Sequence, residues 1–142
     1  MFTIYLSGPD EKYCAEKYKT FLIHAYPSVR FYNTETRPEG DWFENDLMTL
    51  ENADMMVFMT PDFPLPGVAP KIGYFYACLQ ERRLIKWGQP SDQIICIWPD
   101  EVKPKHGQRV IKRMGVIVPT VGETIKLISQ VIMQQENKKK GR

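Results

Sequence analysis

Much is missing from this chain, and each absence narrows what it does. No run approaches the roughly 18 apolar residues of a membrane span, so no membrane partner is expected. The N-terminus passes directly into a strand-like segment, without a basic region followed by an apolar core, so no signal peptide is expected. The cysteines are three, Cys14, Cys78 and Cys96. They are odd in number and lack metal-ligand spacing, which reads as reduced and mostly buried thiols in a cytoplasmic protein. The two histidines, His24 and His106, lie far apart with no carboxylate at ligand spacing, so no metal is expected and no other cofactor is implied. There is no Gly-x-Ser-x-Gly elbow, no Gly-x-Gly-x-x-Gly and no P-loop. Internal repeats are also absent.

Strong charge of one sign is missing too. The chain has 142 residues with 19 basic and 17 acidic side chains. Lys138, Lys139, Lys140 and Arg142 supply four of the basic ones; 19 less 4 leaves 15 against 17, a body of −2. A near-neutral body argues against a broad nucleic-acid surface. Residues 137–142 read as a basic flexible tail, with a nucleic-acid or anion-binding arm as the minor alternative. Residues 1–136 are one domain's worth of chain, and the 43% hydrophobic and 25% charged content is that of a globular protein.

What is present alternates. Phe2–Leu6 reads as a buried strand, rich in β-branched and aromatic side chains. Ser7, Gly8, Pro9 and Asp10 turn the chain. Cys14, Tyr18, Phe21, Leu22 and Ala25 recur at helical spacing, and Pro27 ends that helix. Ser28–Tyr32 is a second strand, followed by a polar loop from Asn33 to Gly40. Asp41 caps a helix through Trp42, Phe43, Asp46, Leu47 and Leu50. Met55–Met59 is a third strand. Pro61 to Pro70 is a loop, and the helix after it is expected to reach Lys86. Gln93–Trp98 is a fourth strand, Pro99–Gly107 a charged loop and Val116–Val118 a short fifth strand. Val121, Ile125, Ile128 and Ile132 mark a last helix.

Strands alternating with helices predict a mainly parallel five-stranded sheet covered on both faces, an α/β three-layer sandwich of flavodoxin-like or Rossmann-like order. In such a sheet ligands bind beyond the carboxyl ends of the strands, where the strand order reverses. Three loops should meet there: Ser7-Gly8-Pro9, Pro61 to Pro70 and Pro99-Asp100. Tyr5, near the end of the first strand, and Asn45 and Asp46, on the second helix, stand near the same cleft. Gly67 lets the backbone approach a ligand, and Pro70 suits the first turn of a helix. Lys71 falls in that first turn, where a cation opposes the helix dipole by roughly 0.3–1 kcal/mol if exposed. From position alone, a solvated lysine leaning away from the helix end is the simpler expectation, and an anion ligand the sharper one.

Taken together, these pieces resemble the nucleoside 2-deoxyribosyltransferase family and its related nucleotide N-glycoside hydrolases. The resemblance runs from Thr3 to about Asp100. It rests on Thr3-Ile-Tyr-Leu-Ser-Gly-Pro9, on Asn45-Asp-Leu followed by Leu50-Glu-Asn-Ala-Asp54, on Met55 to Asp62, and on Gly67 to Ala77 with Ile72-Gly73-Tyr74. It implies an enzyme of N-glycosidic bonds, acting on a small-molecule nucleoside or nucleotide and assembled as a homo-oligomer, a dimer or larger. Trp42, Phe43, Tyr74 and Tyr76 are candidates for such contacts. In the family a glutamate attacks the anomeric carbon, a tyrosine near the end of the first strand orients it, and an aspartate on the second helix holds base or sugar. Tyr5 and Asp46 match the last two. The glutamate's position is Lys71 here, and Asp62 stands a few residues from the place of a further family aspartate.

The resemblance therefore implies Lys71, Asp46 and Tyr5 as catalytic candidates, and Ser7, Gly8, Pro9, Asn45, Asp62, Gly67 and Tyr74 as substrate-binding ones. An ammonium cannot form the ester intermediate that a glutamate forms. Three readings stay open: an N-glycoside enzyme of modified route, an inactive relative that binds a nucleotide or nucleotide-derived ligand, and an interaction protein with a vestigial cleft.

Overall fold

The computed structural model describes residues 2–8, 11–22, 24–33, 40, 42–59, 69–82, 84–86, 88–103 and 106–140, with only the backbone at 11, 12, 42, 69, 106, 139 and 140. In chain order the elements are β1 (Phe2–Ser7), α1 (Glu11–Leu22), β2 (Val29–Tyr32), α2 (Trp42–Asn52), β3 (Met55–Met59), α3 (Ala69–Glu81), β4 (Ile94–Ile97), α4 (His106–Met114), β5 (Val116–Val118) and α5 (Val121–Lys140). The strands pair in the order β2-β1-β3-β4-β5, and every pairing is parallel. This is a three-layer Rossmann-like α/β sandwich with the flavodoxin-like strand order.

The apolar runs are continuous because both faces of the sheet are covered. Period-two alternation divides each run between two cores. Ile4 and Leu6 of β1, Met55 and Val57 of β3, and Ile95 and Ile97 of β4 face one core, which α1 and α5 close with Tyr18, Leu22, Ile128 and Ile132. Tyr5, Met56, Phe58, Ile94 and Cys96 face the other, which α2, α3 and α4 close with Leu50, Ile72, Phe75, Leu79 and Ile111. The thiols follow this packing: Cys14 and Cys96 are buried and Cys78 half-buried, all three free, and burial pushes the Cys96 thiol up to about 12.

The two edges of the sheet differ. At the amino edge, backbone polar groups are stitched together. Thr3 N–H donates to Asp54 Oδ2 at 2.8 Å, Asp54 N–H to the Thr3 carbonyl at 2.8 Å, and the Gln93 side-chain amide to the Asp54 carbonyl at 2.8 Å. At the carboxyl edge, Gly8 leaves β1 with φ of 114°. A Cβ there would lie 2.2 Å from the Met59 carbonyl oxygen. Only glycine lets the chain leave β1 against the end of β3, and β1/β3 is where the strand order reverses.

Four sequence expectations are corrected. The first helix ends at Leu22 rather than Ala25: the Tyr26 N–H closes on the Leu22 carbonyl at 2.7 Å. The third ends at Glu81 rather than Lys86, where the Leu84 N–H turns back to the Leu79 carbonyl at 3.0 Å. The Tyr76 hydroxyl fixes the turn beyond, accepting from Gly88 N–H at 3.1 Å and donating to the Gln89 carbonyl at 2.9 Å, and the side chain is buried in the core. The loop read over Pro99–Gly107 ends in α4, a helix that the sequence reading omitted. Helix α5 continues through Lys140, into the segment read as tail. Asp10 of the first turn and Asp41, read as a helix cap, lie outside the described residues, and no described helix is long and apolar enough to cross a membrane.

Candidate functional site

Four elements converge beside the β1/β3 reversal. Strand register sets Tyr5 of β1 opposite Tyr32 of β2. Their rings stack with centroids 5.3 Å apart and planes inclined by 21°, the offset arrangement aromatic pairs prefer. Together they form an apolar floor. Helix α2 crosses it and presents Asp46, whose side chain is fully buried. The Tyr32 hydroxyl donates to Asp46 Oδ1 at 2.9 Å. Helix α3 supplies Lys71, whose Nζ lies 3.1 Å from Asp46 Oδ2 and 5.6 Å from the centroid of the Tyr5 ring.

Lys71 does not lean into solvent as its position suggested; its side chain is only 13% exposed. Repulsion from the N-terminus of α3 and attraction to Asp46 act in the same direction, drawing the ammonium off the helix end onto the carboxylate. The ring of Tyr5 beneath it adds a favourable face for a cation. The result is a charge pair largely removed from water, with both carboxylate oxygens engaged. Such a pair repays its desolvation only where further hydrogen bonds complete it, and Tyr32 provides one.

The other candidates divide. Ser7 is buried at the end of β1, and Gly8 makes the close approach to β3 described above. Asn45 precedes Asp46 on α2 and is half-buried; its carbonyl accepts the Thr49 hydroxyl at 2.8 Å. Tyr74 does not join the pair: its hydroxyl donates to the Glu51 carboxylate and ties α3 to α2. That bond, above all, pushes the Tyr74 phenol up to about 12. Pro9, Asp62 and Gly67 lie outside the described residues.

Sequence reasoning missed Tyr32, although it ends β2 in register with Tyr5 and therefore shares that residue's face. It also missed Asn33, buried directly beyond β2 at the same edge. A polar residue directly past a strand's carboxyl end was the available signal for Asn33. An open groove of about 860 Å³ lies far from these residues, lined by Lys86, Pro90, Asp92 and Gly115 among others, near the amino ends of β4 and β5.

Chemically, the constellation offers a fixed carboxylate, an amine in contact with it and an aromatic surface. The carboxylate opposes positive charge that develops nearby, and the pair can pass a proton between its members. Among the described residues no three His, Cys, Asp or Glu side chains cluster.

No family model matches the chain, and no curated protein matches it. Among solved structures, it is similar to the CMP N-glycosidase BcmB of Clostridium botulinum, with a TM-score of 0.54 at 16% identity, over 89% of this chain and 98% of that one. At that identity the likeness is one of fold. This chain therefore shares the three-layer, all-parallel α/β architecture on which a nucleotide N-glycosidase is built.

Proposed function

We propose that this protein breaks the N-glycosidic bond of a nucleoside or nucleotide, releasing the base to water or exchanging it for another, in the cleft beyond β1 and β3. The observation that carries the reading is Asp46, a fully buried carboxylate held by Tyr32 and Lys71 at the sheet's reversal point. Loss of a nucleobase leaves positive charge shared between C1′ and the ring oxygen, and a fixed carboxylate in a water-poor setting opposes that charge. Tyr5 and Tyr32 supply an aromatic face beside it. The shared fold with a CMP N-glycosidase makes a pyrimidine nucleotide the first substrate to try.

The geometry also bears on Lys71 as a phosphate ligand. Its charge is already matched by Asp46, so the pair presents little net charge to an anion, which disfavours Lys71 as the ligand of a 5′-phosphate.

The test is chromatography of free base after incubation with deoxynucleosides, ribonucleosides and their 5′-monophosphates, CMP included, with and without a second base. Base release that falls at least tenfold in Asp46→Ala supports the reading, and no release from any member of the panel sinks it. The engagement of both Asp46 oxygens favours one other reading, an inactive relative that binds a nucleotide. A ligand-dependent rise in melting temperature without base release is its signature. Size-exclusion chromatography with light scattering on the same sample reads the expected homo-oligomer.

A further inference from the structure

The proposed reaction leaves open how C1′ is captured once the base departs. From the contact between the Lys71 amine and the buried Asp46 carboxylate, we infer that Lys71 is both the acid that releases the base and the nucleophile that captures the sugar, through a covalent imine. The inference rests on the reading above. Nζ lies 3.1 Å from Asp46 Oδ2, its side chain is 13% exposed, and it stands over the Tyr5 ring. A lysine so placed has a proton to give, a base beside it to take a second, and an apolar face that keeps its amine from full hydration.

The bond between C1′ and the base nitrogen breaks, its electron pair leaves with the base, and the base takes a proton from the Lys71 ammonium. The Asp46 carboxylate, still charged, opposes the cationic sugar. The Lys71 amine, now neutral, donates its lone pair to C1′ and forms a C–N bond. The resulting ammonium passes a proton to Asp46. The bond between C1′ and O4′ opens, the nitrogen lone pair forms C=N, and O4′ takes the proton from Asp46. Water adds to the iminium, the sugar leaves as its aldehyde, and Lys71 and Asp46 return to ammonium and carboxylate. The sum is nucleoside plus water giving base plus sugar. Here Asp46 serves twice, against the cation and as a proton carrier, and it works from one position because Tyr32 holds its other oxygen at 2.9 Å.

The experiment uses the full chain and the panel member that releases most base. Borohydride is added during turnover, and the digested protein is read by mass spectrometry. The expected result is a reduced, ring-opened sugar on the peptide containing Lys71, dependent on both substrate and borohydride. Lys71→Arg keeps a cation against Asp46 but has no amine able to form an imine. It should give no adduct and lower base release roughly a hundredfold or more, with the folded circular-dichroism spectrum retained. Base release without an adduct, or release undiminished in Lys71→Arg, overturns the imine while leaving N-glycosidic cleavage in place. No base release from the wild-type chain overturns both.

Discussion

Replacing Lys71 with alanine should cost far more stability than a substitution near a helix N-terminus usually does. The change removes the cation 3.1 Å from a carboxylate with no exposed surface. Breaking a buried pair by deleting one partner costs about 3–5 kcal/mol, because the remaining charge stays desolvated. For a chain of this length, 1 kcal/mol is about 3 °C, so the melting temperature should fall by roughly 10–15 °C. Relief of the conflict between Lys71 and the α3 dipole offsets at most about 1 kcal/mol of this. The assay is urea unfolding followed by tryptophan fluorescence, with the slope of free energy against urea required to stay constant. Neutralising the partner is the companion measurement: Lys71→Met combined with Asp46→Asn should recover at least about half of the loss, since no buried charge then lacks its counterpart. A single-variant loss below about 1 kcal/mol, the range of solvated surface pairs, would refute the buried-pair argument. So would a double variant no better than the sum of its parts.

Other consequences are simpler. Tyr32→Phe keeps the stack on Tyr5 but removes the hydrogen bond to Asp46, and should lose roughly 1.5–3 kcal/mol in the same unfolding assay; a loss of a few tenths would mean that the bond does not hold the carboxylate. Gly8→Ala meets both a φ of 114° and the Met59 carbonyl at 2.2 Å, and should lose at least about 2 kcal/mol, or fail to accumulate as folded protein; wild-type stability would refute the close approach. The Tyr74 phenol, held up to about 12 chiefly by its bond to Glu51, should ionise late in an ultraviolet titration, and Glu51→Gln should bring it down. A raised phenol binds its proton more tightly in the folded state. Its contribution is therefore complete below the ordinary value of 10 and is lost as pH rises from there to about 12.

The strands were legible because burial on both faces leaves little room for polar residues, so β3 and β4 appear as unbroken apolar runs in the sequence and β1 as a run interrupted only by Thr3 before it ends at Ser7. Helix α4 was passed over although its pattern is amphipathic: Val110, Ile111 and Met114 recur at helical spacing. It is only nine residues long, carries three basic side chains and follows a charged loop directly, so it was absorbed into that loop. The site was half legible. Tyr5, Ser7, Gly8 and Asp46 follow from the rule that ligands sit beyond the strand ends, and the structure places them at that edge. The pairing of Lys71 with Asp46 was not, since it depends on how α2 and α3 pack, and no local pattern encodes the distance between two helices. Lys71 therefore read as a solvated cation on position alone. Tyr32 was missed for a related reason: only strand register puts it beside Tyr5, and register belongs to the sheet rather than to Val29–Tyr32.

The contrast between the sheet's two edges argues for where function lies. At the amino edge, Thr3, Asp54 and Gln93 make short hydrogen bonds that satisfy backbone groups any sheet of this kind must satisfy. Those bonds need no further explanation. The pair at the carboxyl edge is different. Two apolar side chains of similar volume would fill the space between α2, α3 and the Tyr5–Tyr32 floor at least as stably, because desolvating both charges offsets most of their attraction. A feature that stability does not require, built from four separate elements and set at the reversal of strand order, is the kind of local departure that folds retain for chemistry. Asp46 comes first because it is the fully buried charge, Lys71 second because it meets that charge, and Tyr32 third because it fixes the carboxylate's other oxygen. Tyr74, whose hydroxyl is bonded to Glu51, stands apart from the pair.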